Sequence, residues 1–264
     1  MSPQRPFVND APRPREDALD RGLADESAVA VPIRHTRVLT GTGFDDDTGE
    51  ADPDLSAALT DGRDQVGLLA AVASARLIVP VVATPSAGDP DELKEPRSAD
   101  MAMATLTSQD GQRALPVFSS VTALRAWDPD ARPSPVTSAR AAQAAVTERC
   151  DVLLLDVGSE HPQVLRPSMV WALAQQREWL PAHTDPLVAQ TLSRATANEA
   201  DVIECFGEEG DPAGAGILRV VLRLRPGLDQ AQVQALATRV GEQIATDGEA
   251  RARIDGLAFV IRPA

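Results

Sequence analysis

The chain is short of several chemical groups, and each shortage removes a class of function. Among 264 residues there is no tyrosine, and three Trp with five Phe bring aromatics to only 3%. A base-stacking nucleic-acid surface therefore has few rings to draw on, and a core must be built from Ala, Val and Leu. Lysine occurs once, as Lys94 in Asp91-Glu92-Leu93-Lys94-Glu95. A phosphate-binding P-loop needs glycines before its lysine, and Lys94 has acidic neighbours instead, so neither that loop nor a lysine Schiff base is expected. The two cysteines, Cys150 and Cys205, lie far apart beside apolar stretches, which suits free thiols in a reducing compartment. The three histidines, His35, His161 and His183, have no metal-site spacing, so no metal or other cofactor is expected.

What is abundant is acid. Asp and Glu number 39 against 25 Lys and Arg, a net charge of −14. Such a chain repels nucleic-acid phosphates and anionic membranes unless it carries a local basic patch, so neither is an expected partner. The first thirty residues mix Arg with Asp, Glu and Pro and hold no apolar run resembling a secretory signal. The longest apolar stretch, Val66 to Ala83, is interrupted by Arg76 and Pro80 and reads as a helix followed by a strand. The expected setting is cytoplasmic.

Texture divides the chain in three. Residues 1–51 are rich in Pro, Arg, Asp and Gly, without a sustained period, and are expected as a disordered acidic tail. Within it, Asp45-Asp46-Asp47 reads as a solvated run, because neither its glycine nor its twelfth position fits a calcium loop. Residues 52–182 alternate helical and strand patterns. Asp54 is expected to cap a short helix, and Gln65 to Ala75 to form another before the strand Leu77 to Val82. Pro85 to Arg97 is a polar acidic loop. Met101 to Thr107 and Arg113 to Phe118 flank Asp110-Gly111 as a hairpin, with Pro116 placing the second strand at an edge or ending it early. Ser119 or Ser120 caps a helix through Trp127, and Pro133 with Pro135 mark an extended piece. A helix from Ser138, a buried strand Asp151 to Val157, a turn, a strand to Arg166 and a helix from Pro167 complete this part.

Residues 183–264 read as a smaller module. Asp185-Pro186 starts a helix, and strands Asp201 to Phe206 and Ile217 to Arg225 follow. In the second strand Leu218, Val220, Leu222 and Leu224 alternate with Arg219, Val221, Arg223 and Arg225, so one face is core. Asp229 with Gln232 forms a capping box for the helix carrying Val233, Leu236, Val240 and Ile244, and Leu257 to Ile261 is a last strand. The fold class expected is α/β (α+β): an N-terminal mixed sheet with flanking helices and a smaller C-terminal open sandwich.

No convergent catalytic set is visible. Ser159 and His161, two residues apart at a strand-turn-strand tip after Asp156, would point to opposite sides or to solvent and lack a nucleophile elbow, so they read as a polar turn. Gly214-Ala215-Gly216 precedes a strand where a dinucleotide site needs a helix. Cys205 beside Glu204 reads as an inert thiol. The arginines Arg219, Arg223 and Arg225 share a strand face and are the candidate binding residues, for an acidic segment or an anion, unless the protein's own carboxylates pair with them.

The stretch Leu115-Pro116-Val117-Phe118-Ser119-Ser120-Val121-Thr122-Ala123-Leu124-Arg125-Ala126-Trp127 resembles the central signature of the SseB family, named for enhanced serine sensitivity, in its actinobacterial form. Leu77 to Val82, Leu153 to Asp156 and Val170 to Ala174 are similar to further family segments, so that the resemblance spans about 55–182. It implies no established reaction, cofactor or catalytic residue. The expected function is that of a non-catalytic module binding another cytoplasmic protein. The alternatives are an enzyme assembled from Asp156, His161, Glu204 and Cys205, or an anion-binding module using the arginine row.

Overall fold

The computed structural model describes residues 43–61, 64–84, 100–108 and 111–263. Most of the expected tail, His35, the acidic loop with Lys94, and Asp110 of the hairpin turn lie outside them. In chain order the described elements are α1 (Pro53–Asp61), α2 (Gln65–Ser74), β1 (Arg76–Thr84), β2 (Asp100–Met103), β3 (Leu106–Thr107), β4 (Arg113–Val117), α3 (Val121–Trp127), β5 (Arg132–Thr137), α4 (Ser138–Thr147), β6 (Val152–Leu155), β7 (Gln163–Leu165), α5 (Pro167–Ala174), α6 (Pro186–Thr196), β8 (Val202–Glu209), β9 (Ile217–Leu224), α7 (Gln230–Thr246), α8 (Gly248–Arg253) and β10 (Gly256–Pro263). The chain is α/β, with mixed sheets flanked by helices.

The first part holds two ladders. β2-β1-β5 is antiparallel throughout, whereas β3-β4-β6-β7 has a parallel centre, β4 on β6. They meet where Ile78 and Phe118 exchange both backbone hydrogen bonds at 2.8 Å. Met101 to Thr107 is therefore not one strand. It changes ladder at Ala104, whose N–H donates to the Pro80 carbonyl at 3.2 Å, so β2 pairs with β1 and only β3 pairs with β4.

Pro116 likewise differs from its expected edge position, since β4 lies between β3 and β6. Alternation explains the tolerance. Phe118 directs its amide to Ile78 and Ala114 is paired with Leu106, so Pro116 faces the gap between these two partners and costs the β6 ladder no donor.

Caps fix the local boundaries. Asp52, not Asp54, receives the N–H groups that start α1, at 2.9 and 3.1 Å, because Pro53 takes the first helical position. Ser120 Oγ caps α3 by accepting from the Ala123 N–H at 3.0 Å. α7 begins in the expected capping box, Asp229 with Gln232. The acidic run is not wholly solvated: Asp47 turns inward and pairs with Arg76 Nε at 2.6 Å, while Gly49 C=O accepts the Val121 N–H.

The main core gathers α1, α2, α4 and α5 onto the β4-β6 layer through Leu55, Leu69, Ala142, Leu115, Leu153 and Leu173. A smaller cluster under α3 packs Phe118 against Trp127, ring centroids 5.4 Å apart. The last sheet, in the order β10-β9-β8, buries Leu218, Val220, Leu222 and Leu224 beneath α6 and α7, as the alternation in β9 dictates.

Candidate functional site

The arginine row stands on the outer face of the last sheet. Arg219 Nη2 donates to Glu208 at 2.7 Å and Arg223 Nη1 to Glu204 at 2.9 Å, each to the facing residue of β8. Arg262 of β10 reaches across to the same Glu208 with two bonds of 3.0 and 2.9 Å. The hydrogen bonds from Arg262 and then Arg219 hold the Glu208 carboxyl below the usual range. Arg225 lies past the end of β9, is exposed, and has no ion pair among the described residues. Arg262 extends the row beyond what the sequence pattern displays, because the apolar run of the last strand stops at Ile261 while its pairing continues to Pro263.

Asp156, His161, Glu204 and Cys205 are not brought into one catalytic arrangement. Asp156 ends β6 in the left-handed region, φ 52°, buried, with its carboxylate accepting from both the N–H and the hydroxyl of Ser119 at 2.7 Å. His161 is exposed in the turn beyond it, its backbone N–H donating to Ser159 Oγ at 3.2 Å. Glu204 lies on the outer face with Arg223, whereas Cys205, the next residue, joins the core beneath the helices. Burial pushes the Cys205 thiol up to about 11, with the Thr196 hydroxyl offsetting only part of it. Burial likewise raises the Cys150 thiol. A thiol so displaced is almost wholly protonated at neutral pH and is a poor nucleophile. Among the described residues no group of three His, Cys, Asp or Glu is placed to hold a metal ion, and no helix is long and apolar enough to cross a membrane.

Two other features emerge only from tertiary structure. One is a polar joint between the start of α5 and the last sheet. Arg166 Nε and Ser168 Oγ both donate to Asp255 Oδ2, at 2.9 and 2.8 Å, and Arg166 Nη1 donates to the Gly214 carbonyl at 2.6 Å. The Trp179 indole N–H completes the set by donating to Ser168 Oγ at 3.0 Å. The joint is filled by these partners, with about 40 Å³ of cavity left between them.

The other is a groove of about 630 Å³ between α2, the start of α4 and the end of α5. Val66, Leu69, Ala70 and Ala73 form one wall, with Leu173 and Trp179 opposite. α2 contains no charged residue; its Leu68, Leu69 and Val72 are buried, yet Ala70 and Ala73 are exposed. In the sequence this helix shows only as an apolar run, and nothing local tells which side remains uncovered.

The Ser119–Asp156 lock and the α2 wall of the groove fall on one recognisable segment, while Leu173 and Trp179 lie past its end. The family model described as SseB protein N-terminal domain matches residues 54–172. No curated protein and no solved structure matches the chain significantly. Residues 54–172, with the signature Leu115 to Trp127 within them, are thus an SseB protein N-terminal domain carried by this chain.

Proposed function

We propose that this chain is a non-catalytic, cytoplasmic protein-binding or regulatory module, and that the groove along α2 receives an apolar segment of its partner. One observation carries the reading: between Gln65 and Ser74 the helix α2 holds no polar side chain, although Ala70 and Ala73 lie open. A helix without a polar face is normally enclosed, and an exposed apolar surface of this kind marks an interaction site. The small side chains of Ala70 and Ala73 let a partner helix approach closely, and Leu69 and Trp179 supply apolar surface on the two opposing walls. The paired state of Arg219 and Arg223 weighs against a nucleic-acid or anion role for the outer face, since each charge is already met by a glutamate. The two free thiols suit a reducing compartment.

The test is a photo-crosslinking residue at Ala70 in the full chain, expressed in its own host. The expected result is a covalent adduct with a defined protein, lost when Ala73→Arg is added while the melting temperature stays unchanged. Adducts that survive Ala73→Arg, or a small molecule co-purifying in the groove, would overturn the reading.

A further inference from the structure

The last strand, β10, has a single neighbour among the described residues, β9. Which of its backbone groups face away from the sheet follows from the ladder. The Gly210 N–H bonds the Ile217 carbonyl, so the odd residues of β9 face β8 and the even ones face β10. In the parallel register Leu257 lies beside Leu218, Phe259 beside Val220 and Ile261 beside Leu222. The even residues of β10 then bond to β9, and Leu257, Phe259 and Ile261 direct their N–H and C=O groups outward.

These three side chains also share the helix-covered face. Phe259 packs into the core there, but Leu257 and Ile261 are 39% and 40% exposed. The edge carries none of the usual protections. It has no lysine and no bulge, its proline comes only at position 263, and its one charge, Arg262, is drawn across the outer face to Glu208.

We infer that β10 is where two copies of this chain associate, strand against strand and antiparallel, about a two-fold axis at Phe259. The occupant is a second copy because the two exposed aliphatic residues, Leu257 and Ile261, stand at equal spacing on either side of Phe259, so that an antiparallel copy brings each against the other. The outward backbone groups sit at 257, 259 and 261, so Phe259 pairs with itself and Leu257 with Ile261 of the other copy, a mutual set of hydrogen bonds. The same register lays Leu257 of each copy beside Ile261 of the other and covers both. It also sets Arg262 opposite Gly256, so the two arginines stand at opposite ends and no like charges are opposed. A two-fold interface requires this self-complementarity, and the sheets join as six continuous strands, β8-β9-β10 and their equivalents.

Sedimentation equilibrium of the full chain across a concentration series tests it. The expected species is twice the 27.9 kDa chain, favoured by added salt because two acidic chains repel one another. The double variant Leu257→Lys, Ile261→Lys should remain monomeric with an unchanged circular dichroism spectrum. Register is tested separately by mixing Ala258→Cys with Val260→Cys under mild oxidation. These positions face one another in the inferred pairing, so the mixed disulfide should form in preference to either self-linked product. A monomer at every concentration, a dimer indifferent to the lysine pair, or preferential self-linking at position 258 would each overturn the inference.

Discussion

Arg166 and Asp255 stand 89 residues apart in the chain and meet at 2.9 Å, with side chains only 16% and 9% exposed. The carboxylate also receives the N–H and hydroxyl of Ser168, and Arg166 lies 5.7 Å from the Trp179 ring centre. The contact fixes the start of α5 against the last sheet. Removing one partner of a largely buried, hydrogen-bonded pair leaves an uncompensated charge. Asp255→Ala should therefore cost about 3 kcal/mol in urea unfolding, more than loss of the exposed Arg223–Glu204 pair, at about 0.5 kcal/mol.

Gly216 belongs to the same joint. Its φ is +81°, and an added Cβ would lie 2.5 Å from Arg166 Nε and 2.7 Å from Asp255 Oδ2. Both the backbone conformation and the space exclude a side chain. Gly216→Ala should lower the melting temperature, whereas the same change at Gly227, also at positive φ but with nothing within reach of its Cβ, should cost only the backbone strain. Comparing the two melting curves separates closure of the joint from conformational preference.

Helix starts and strand faces were readable from local chemistry: the Asp185-Pro186 start of α6, the capping box at Asp229, and the alternation that buries Leu218 to Leu224 all depend on neighbours within a few residues. What could not be read depends on distant partners. Nothing near Ala104 shows that the chain leaves one ladder for another there, because that is decided by Pro80. Asp47 looked like any carboxylate in an acidic run until folding placed Arg76 beside it. The candidate arginines showed their alternation but not the glutamates of β8 that meet two of them. The groove was invisible for the same reason: an apolar helix announces burial, and only packing leaves one side open.

Asp47 gives the acid limb of stability a specific origin. Burial pushes its carboxyl up, but the Gly49 N–H and the Arg76 guanidinium together outweigh this and hold it below the ordinary carboxylate range. A carboxyl depressed in the folded state binds its proton first in the unfolded chain. Its contribution is therefore complete above about pH 4, the ordinary aspartate value, and is lost as pH falls through the depressed folded value. Melting temperature should fall across this acid window, and Asp47→Asn should flatten the fall while lowering the plateau near neutrality. An unchanged slope in the variant would assign the acid sensitivity to other carboxylates.

The thiols offer a kinetic test of the non-catalytic reading. With Cys205 pushed up to about 11 by burial, roughly one molecule in a thousand carries the thiolate at pH 8. Labelling by a disulfide reagent in native buffer should be slow, rise with pH through the alkaline range, and become rapid for both cysteines in denaturant. Fast native labelling of Cys205 at neutral pH would mean that the thiol is activated and would return it to the list of nucleophiles.

The Ser119–Asp156 pair separates a structural carboxylate from a chemical one. Asp156 occupies the left-handed region, which Asp and Asn tolerate better than other side chains, and its two oxygens satisfy the buried N–H and hydroxyl of Ser119. Asp156→Asn keeps both the backbone conformation and an acceptor for the amide. Asp156→Ala removes both acceptors and strains the turn, at a cost of about 2 kcal/mol for the orphaned donor. Stability should accordingly fall in the order wild type, Asn, Ala, and crosslinking through Ala70 should follow the folded fraction alone. If Asp156→Asn abolished partner capture while leaving the melting temperature intact, the carboxylate charge itself would be part of recognition, and the binding surface would have to extend from the groove to the end of β6.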